Sequence, residues 1–114
     1  LAKAAMAAGI KTLMDELGIG IEDINRVYLA GALGNYVDRI STLRIGLLPQ
    51  VRIEHVRSLG NAASMGASMV LLSKKHWQMA RTVTDFIEHI ELSYRKDFNQ
   101  YFIEQMDFPQ ENIW

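Results

Sequence analysis

The sequence contains no cysteine, and this absence excludes disulfides, thiolate metal sites and iron–sulfur ligation within the chain. It also lacks an excess of charge of either sign, since its formal net charge is −1 and no basic stripe stands out. Nothing in it therefore steers nucleic acid or an anionic membrane. No apolar run is long enough to span a bilayer, and no signal peptide is recognisable.

Residues arranged for catalysis are equally scarce. The three histidines share no metal-ligand spacing, and no His-Glu-x-x-His motif is present. The serines lie outside any nucleophile elbow. We therefore predict that the histidines are structural or solvated. An acidic run near the end of the first predicted helix is interpreted as a solvated helix end; it comprises Asp15, Glu16, Glu22 and Asp23.

The bulk composition is that of an ordinary soluble globular protein. Its 114 residues suffice for a single domain with one core, and 49% of them are hydrophobic against 22% charged. A cytoplasmic protein is the simplest interpretation. The sequence begins at Leu1, already in a helical pattern, which indicates a C-terminal piece of a longer protein.

Hydrophobic periodicity and glycine positions predict a layered α/β domain. Helices are expected over residues 1–17, 38–45, 62–73, 74–86 and 97–106, with short helical turns at 22–23 and 35–37. Strands are expected from residue 26 and over 53–59, and an edge strand is plausible over 86–92. The order is α-β-α-β-α-α-(β)-α, with mostly parallel strands flanked by helices. After residue 107 little pattern remains, and Phe108 and Trp114 either pack back or lie exposed.

Two glycine turns follow the two predicted strands. The first is bounded by Gly31 and Gly34, and the second runs from Gly60 to Gly66. Neither is a Walker A loop, and the full G-x-G-x-x-G fingerprint is missing. On neighbouring parallel strands the two turns would form one crevice, lined by backbone N–H groups and small side chains. Such a crevice suits a purine or a ribose, although no Lys or Arg stands in either turn to hold a triphosphate.

Structural interpretations of the same residues remain open. The turns are alternatively tight corners between strand and helix. The small residues of the 62–73 helix indicate either close packing on the sheet near Gly31 or the approach of a ligand. The core face of this helix is expected to comprise Met65, Met69, Val70 and Leu72. Asp38 either caps a helix or reaches a ribose.

Three segments together resemble a known family. Residues 27–36 (Val-Tyr-Leu-Ala-Gly-Ala-Leu-Gly-Asn-Tyr), 44–49 (Arg-Ile-Gly-Leu-Leu-Pro) and 60–67 (Gly-Asn-Ala-Ala-Ser-Met-Gly-Ala) are similar to the C-terminal region of the reductive activators of corrinoid proteins. In that family a ferredoxin domain with a 2Fe-2S cluster is fused to an ATPase of the acetate kinase/Hsp70/actin (ASKHA) class, which has a ribonuclease H-like fold. The activator uses ATP to return cob(II)alamin to cob(I)alamin in methyl transfer. The likeness extends along nearly the whole chain.

The resemblance implies a nucleotide-binding role for eight residues. The first turn matches the adenosine motif of the class, and the second begins the helix that closes the pocket floor; the residues are Gly31, Ala32, Leu33, Gly34, Gly60, Asn61, Ala62 and Ala63. Leu33 stands where members of the family often have Phe, and Arg39 where they have Pro. The phosphate-binding strands, the catalytic carboxylate and the cluster cysteines would belong to the upstream part.

The expected function is therefore half of an ATP site in a corrinoid activator. ATP with Mg²⁺ and a 2Fe-2S cluster are implied for the full-length protein, and a corrinoid protein is the implied partner. This chain alone is expected to bind no metal, to carry no cofactor and to have no catalytic residue. The alternative is an interaction module whose surface docks the corrinoid protein or a second copy in a homodimer, the glycine turns being only corners.

Overall fold

The computed structural model describes residues 1–109 except for the side chain of Leu33; Trp114, for which packing was left open, lies outside them. Six helices and two strands follow one another in the described part. They are α1 (Ala2–Leu17), β1 (Val27–Ala30), α2 (Gly31–Tyr36), α3 (Arg39–Arg44), β2 (Val56–Gly60), α4 (Ala62–Leu72), α5 (Lys74–Val83) and α6 (Lys96–Glu104). The strands β1 and β2 pair in a two-stranded parallel sheet, which confirms the predicted α/β class.

Local sequence signals determine where several helices begin and end. Gly18 ends α1 with a φ of 67°, a conformation that glycine adopts without steric cost. Asp38 precedes α3 and accepts hydrogen bonds from the N–H (3.0 Å) and hydroxyl (2.7 Å) of Ser41. Asn61 accepts a hydrogen bond from the N–H of Ser64 at the start of α4 (3.1 Å). These three predicted caps are confirmed.

Other predicted boundaries are wrong. The second strand begins at Val56, because Ile53–His55 forms a 3₁₀ turn before it. The helix after β1 begins at Gly31 itself, so the first glycine turn forms the opening of α2. The edge strand over 86–92 is absent: this segment is irregular, and α5 ends at Val83. Alternating side chains do not form a strand without a neighbouring strand to pair with.

The described residues divide into two compact units. Unit 1 comprises residues 1–28, 37–57 and 90–109, and unit 2 comprises residues 29–36 and 58–89. The prediction of a single domain over residues 1–114 stays a prediction. Unit 1 contains most of the buried apolar side chains, among them Leu43 and Val56, both fully inaccessible to solvent. Arg39 supports this core by donating to the carbonyl oxygen of Val56 at 2.8 Å.

Helix α1 packs on α6 within unit 1, and one stripe of α1 consists of small buried residues. Ala4, Ala8 and Thr12 repeat every fourth position and are buried, and the Thr12 hydroxyl donates to the carbonyl of Ala8 at 2.9 Å. A Cβ at Gly9 would lie 3.4 Å from Leu92 Cδ1, an ordinary van der Waals distance. Small side chains thus let the first helix lie close to the C-terminal part of the chain.

Polar contacts close both ends of this helix pair. At one end Lys3 donates to the carbonyl oxygens of Gln105 and Asp107, both at 2.6 Å, just beyond the C-terminus of α6. Burial lowers the pKa of Lys3, while the carboxylate of Asp107 opposes that shift. At the other end the Tyr101 hydroxyl donates to the carboxylate of Asp15, and the ammonium of Lys11 lies 5.2 Å from the centre of the Tyr101 ring.

A cluster of ion pairs lies at the same end of the α1–α6 pair as Asp15 and Tyr101. Arg95 pairs with Glu16 and, at 2.9 Å, with Asp97. The hydrogen bonds from Arg95 lower the pKa of Asp97. Asp15 and Glu16 are exposed at the end of α1, in agreement with the interpretation as a solvated helix end, but both carboxylates also bind residues about eighty positions away in the sequence.

The closest backbone contact of the two glycine turns lies in unit 2, between Gly34 and Leu29. A Cβ at Gly34 would lie 2.3 Å from the carbonyl oxygen of Leu29, a distance that no side chain tolerates. Gly34 and Leu29 are both buried. Glycine is thus required at position 34 by the backbone of the preceding strand.

Helix α4 differs from its prediction. None of its residues is buried, and Met65 and Leu72 of the expected core face are 61% and 87% exposed. A Cβ at Gly66 would meet no atom within 4 Å. The predicted tight packing of this helix on the sheet near Gly31 is therefore wrong for this chain, since open space surrounds the position at which it was expected.

We predict opposite effects of alanine at two glycines of unit 2. Gly34→Ala should lower the free energy of unfolding by about 1–3 kcal/mol, because the backbone of Leu29 must move. Gly66→Ala should raise it by roughly 0.5–1 kcal/mol, because alanine favours a helix interior and the space is open. Thermal melts of the two variants beside the parent chain test this; equal melting temperatures would contradict the close approach at Gly34.

The bond between Tyr101 and Asp15 predicts a loss of stability at alkaline pH. The hydrogen bond to Asp15 raises the pKa of Tyr101, so the folded chain favours the protonated phenol. Its stabilising contribution is complete below the pKa of an unfolded tyrosine, about 10, and is lost as the pH rises through the higher pKa of the folded state.

The test compares Tyr101→Phe with Tyr94→Phe, whose ring is 90% exposed in the same unit. At neutral pH the Tyr101 variant should melt at a lower temperature than the parent chain, whereas the Tyr94 variant should melt with it. The difference for Tyr101 should shrink above pH ~10. A difference that is constant between pH 7 and pH 11 would contradict the raised pKa of Tyr101, because ionisation of the hydroxyl would then not affect stability.

Candidate functional site

The two glycine turns adopt the same unusual backbone conformation. The φ angle is 76° at Gly31, where β1 passes into α2, and 69° at Gly60, where β2 ends before α4. L-residues other than glycine adopt this left-handed region at a steric cost. Each strand thus changes direction at its carboxyl end through a residue without a side chain.

The structure brings the two turns together in unit 2. A Cβ at Gly60 would lie 3.4 Å from the side-chain oxygen of Asn35, which stands one residue after the first turn. The two turns are thus neighbours, because β1 and β2 pair in the sheet, while the predicted crevice between them stays a prediction. Asn35 is a further candidate for the site that the sequence interpretation missed; its position directly after Gly34 was the available signal.

Open space lies beside the first turn. A Cβ at Gly31 would meet no atom within 4 Å, whereas one at Gly34 would strike the backbone of Leu29. The two glycines of the motif therefore have different roles. Gly34 allows the backbone to approach itself, and Gly31 leaves room next to the turn that another group is free to enter.

The second turn leads into the first turn of α4. Ala62 and Ala63 begin this helix, where backbone N–H groups have no acceptor within the helix. Asn61 satisfies one of these donors, that of Ser64. Asn61 and Ala63 are exposed, as is Ala32 in the first turn, and Ala62 is half-buried. Leu33 lies in α2, and its side chain is outside the described part.

Charge is missing from the two turns and lies elsewhere. All eight predicted nucleotide-binding residues are uncharged. Asp38, weighed as a ribose ligand, belongs to unit 1 and caps α3. Hydrogen bonds from Ser41 lower the pKa of Asp38, so its carboxylate is ionised and already engaged. The turns thus offer backbone donors, an amide and apolar surface, which suits a nucleoside better than a phosphate chain.

A separate cavity of about 360 Å³ lies within unit 1. Its lining is mostly apolar, and it contains none of the predicted site residues. It is bounded by α1, by the turn around Gly46 and by the segment after α6, with Ile10, Met14, Leu48, Pro49 and Phe108 among the lining residues. Its volume falls within the range of small-molecule pockets, and three charged residues, Lys11, Glu104 and Asp107, also line it.

Two further properties can be stated for residues 1–109. No group of three or more His, Asp or Glu side chains in this part is arranged to hold a metal ion. None of its helices combines the length and apolar composition that crossing a bilayer requires.

Comparison with known proteins finds relatives that are named for the activation or reduction of corrinoid proteins. It is 41% identical over 93 residues to the "Corrinoid activation enzyme RamQ" of Eubacterium limosum, covering 82% of this chain and 16% of that protein. It is 28% identical over 108 residues to the "[Co(II) methylated amine-specific corrinoid protein] reductase" of Methanosarcina barkeri, covering 91% of this chain and 19% of that protein.

A solved structure has the same fold. The "Reductive activator for corrinoid,iron-sulfur protein" superposes with a TM-score of 0.85 at 32% identity, covering 94% of this chain and 17% of that one. The chain thus spans less than a fifth of the relatives that it matches. A family model described as the C-terminal domain of RACo, the ASKHA domain, matches residues 1–114. With the whole sequence matched, the chain belongs to this family of C-terminal ASKHA domains of corrinoid activators.

Proposed function

We propose that the chain forms the adenosine side of the ATP site in a reductive activator of a corrinoid protein. The observation that carries this proposal is the open space beside Gly31. There a left-handed glycine leaves room at the carboxyl end of a parallel strand, next to the second turn. A purine or ribose would enter this space. The neighbouring groups would be the backbone at Gly60, the side-chain amide of Asn61 and the first N–H groups of α4.

The names of the relatives support the reaction assigned to the parent protein. One is named a corrinoid activation enzyme and another a reductase of a Co(II) corrinoid protein. The parent of this chain would therefore use ATP to return cob(II)alamin to cob(I)alamin for methyl transfer. Its partner would be a corrinoid protein, and its compartment the cytoplasm.

The remaining parts of such an enzyme would lie outside this chain. Because both turns are uncharged, the phosphates and their Mg²⁺ would be held by residues of the upstream part. Because the chain has no cysteine, a 2Fe-2S cluster would be ligated there as well. The chain's own contribution would be to bind and orient the nucleoside, without a catalytic group.

The alternative is an interaction module that binds no nucleotide. The large exposed apolar side chains of unit 2, such as Leu72 and Phe86, favour it, because side chains of this size are commonly buried by a partner. In that case the corrinoid protein or a second copy would cover them, and the glycine turns would be corners only.

Calorimetric titration of the full-length protein with ATP separates the two functions. We predict that Gly31→Asn weakens ATP binding at least tenfold, or about 1.4 kcal/mol, because the new side chain fills the open space. Asparagine is chosen because it tolerates a positive φ better than other side chains, which limits the effect on folding.

Gly18→Asn is the matched control. Gly18 has a φ of 67° and, like Gly31, open space around its Cβ position, but it ends α1 in unit 1. This variant should bind ATP as tightly as the parent protein. If both variants bind ATP equally well and melt alike, Gly31 is a structural corner and the interaction module is the better description.

A further inference from the structure

The side chain of Asn35 lies beside both glycine turns of unit 2. It directly follows the first turn, and a Cβ at Gly60 in the second turn would lie 3.4 Å from its side-chain oxygen. Asn35 stands in α2 four positions after Gly31, a spacing that places two residues on the same side of a helix. The amide is therefore next to the second turn and on the side of α2 where open space lies beside Gly31.

The amide of Asn35 is not engaged within residues 1–109. None of the hydrogen bonds, ion pairs and ring contacts of this part of the chain involves its side chain, and the residue is exposed. Asn61, the other amide of the two turns, differs because its oxygen accepts a hydrogen bond from the N–H of Ser64 at 3.1 Å. Asn35 thus offers both an acceptor and a donor to a bound molecule.

We propose that Asn35 determines the specificity of the nucleotide site for adenine. Its amide oxygen accepts a hydrogen bond from the 6-amino group of the base, and its amide N–H donates to the neighbouring ring nitrogen. A planar amide carries these two functions side by side, and adenine presents the matching donor and acceptor on one edge. This inference rests on the proposed function, because it assigns a role to one residue of the same site.

Adenine fits this amide better than the other parts of a nucleotide do. In dinucleotide-binding folds the ribose hydroxyls are held by a carboxylate, and residues 31–36 and 60–63 contain none. Phosphates are bound by cationic side chains or backbone N–H groups, whereas a side-chain amide carries no charge to offset theirs. Guanine would place a carbonyl oxygen opposite the amide oxygen of Asn35, so the same residue disfavours a guanine nucleotide.

Calorimetric titration of the full-length protein with two nucleotides tests the inference. ATP is compared with purine riboside triphosphate, which lacks only the 6-amino group, for the parent protein and for Asn35→Leu. Leucine is close to asparagine in size but has neither hydrogen-bonding group. The parent should bind ATP about tenfold more tightly than the analogue, whereas Asn35→Leu should bind the two with nearly equal affinity. Because this ratio is taken within one variant, a smaller folded fraction would not change it.

Asn25→Leu is the matched control. Asn25 is an exposed amide that precedes β1 and belongs to unit 1. This variant should keep the preference of the parent protein for ATP over the analogue. If Asn35→Leu keeps that preference as well, the inference is overturned, and the proposed function still stands because ATP binds.

Titration with 2′-deoxy-ATP distinguishes the base from the sugar. If Asn35→Leu loses discrimination against 2′-deoxy-ATP and keeps it against the analogue without the amino group, the amide binds the ribose and the inference is overturned. A parent protein that binds ATP no more tightly than that analogue would overturn it too. A parent protein that binds no ATP at all would overturn the proposed function and this inference together.

Discussion

The close approach of the Leu29 carbonyl to the α-carbon of Gly34 is the constraint on which unit 2 depends. Both residues are buried, and most of the first glycine turn lies between them in the sequence. Because the glycine at position 34 has no Cβ, β1 can lead into α2 without an intervening loop. Asn35, the next residue, lies beside Gly60. The residues around Gly34 thus contact both the preceding strand and the second turn.

Unit 1 is stabilised in a different way. Its buried residues are apolar or small, and its two ends are joined by side chains far apart in the sequence: Lys3 with the carbonyls after α6, and Asp15 with Tyr101. Charged partners at the surface contribute little individually, whereas the buried small residues of α1 are removed from water. Unit 1 therefore has a core of its own, whereas unit 2 has little beyond the contact at Gly34.

Short-range signals made much of the fold predictable from the sequence. Gly18, Asp38 and Asn61 act on neighbours within four positions, so their caps follow from local chemistry alone. The proximity of the two glycine turns was likewise predictable, because neighbouring parallel strands place their carboxyl ends at the same edge of the sheet. The partner of Asp15 was not, since nothing in the local pattern indicates a tyrosine 86 positions away.

The burial of α4 was predicted incorrectly for an instructive reason. Its composition is that of a core helix, and the prediction assumed that the core lies within these 114 residues. Met65 and Leu72 are exposed instead, so the composition and the surroundings of the helix disagree. Local propensity and tertiary environment normally agree in a complete domain. Leu72 is thus exposed in a helix whose composition is that of a buried one, and the sequence pattern, which records composition and not surroundings, could not show this.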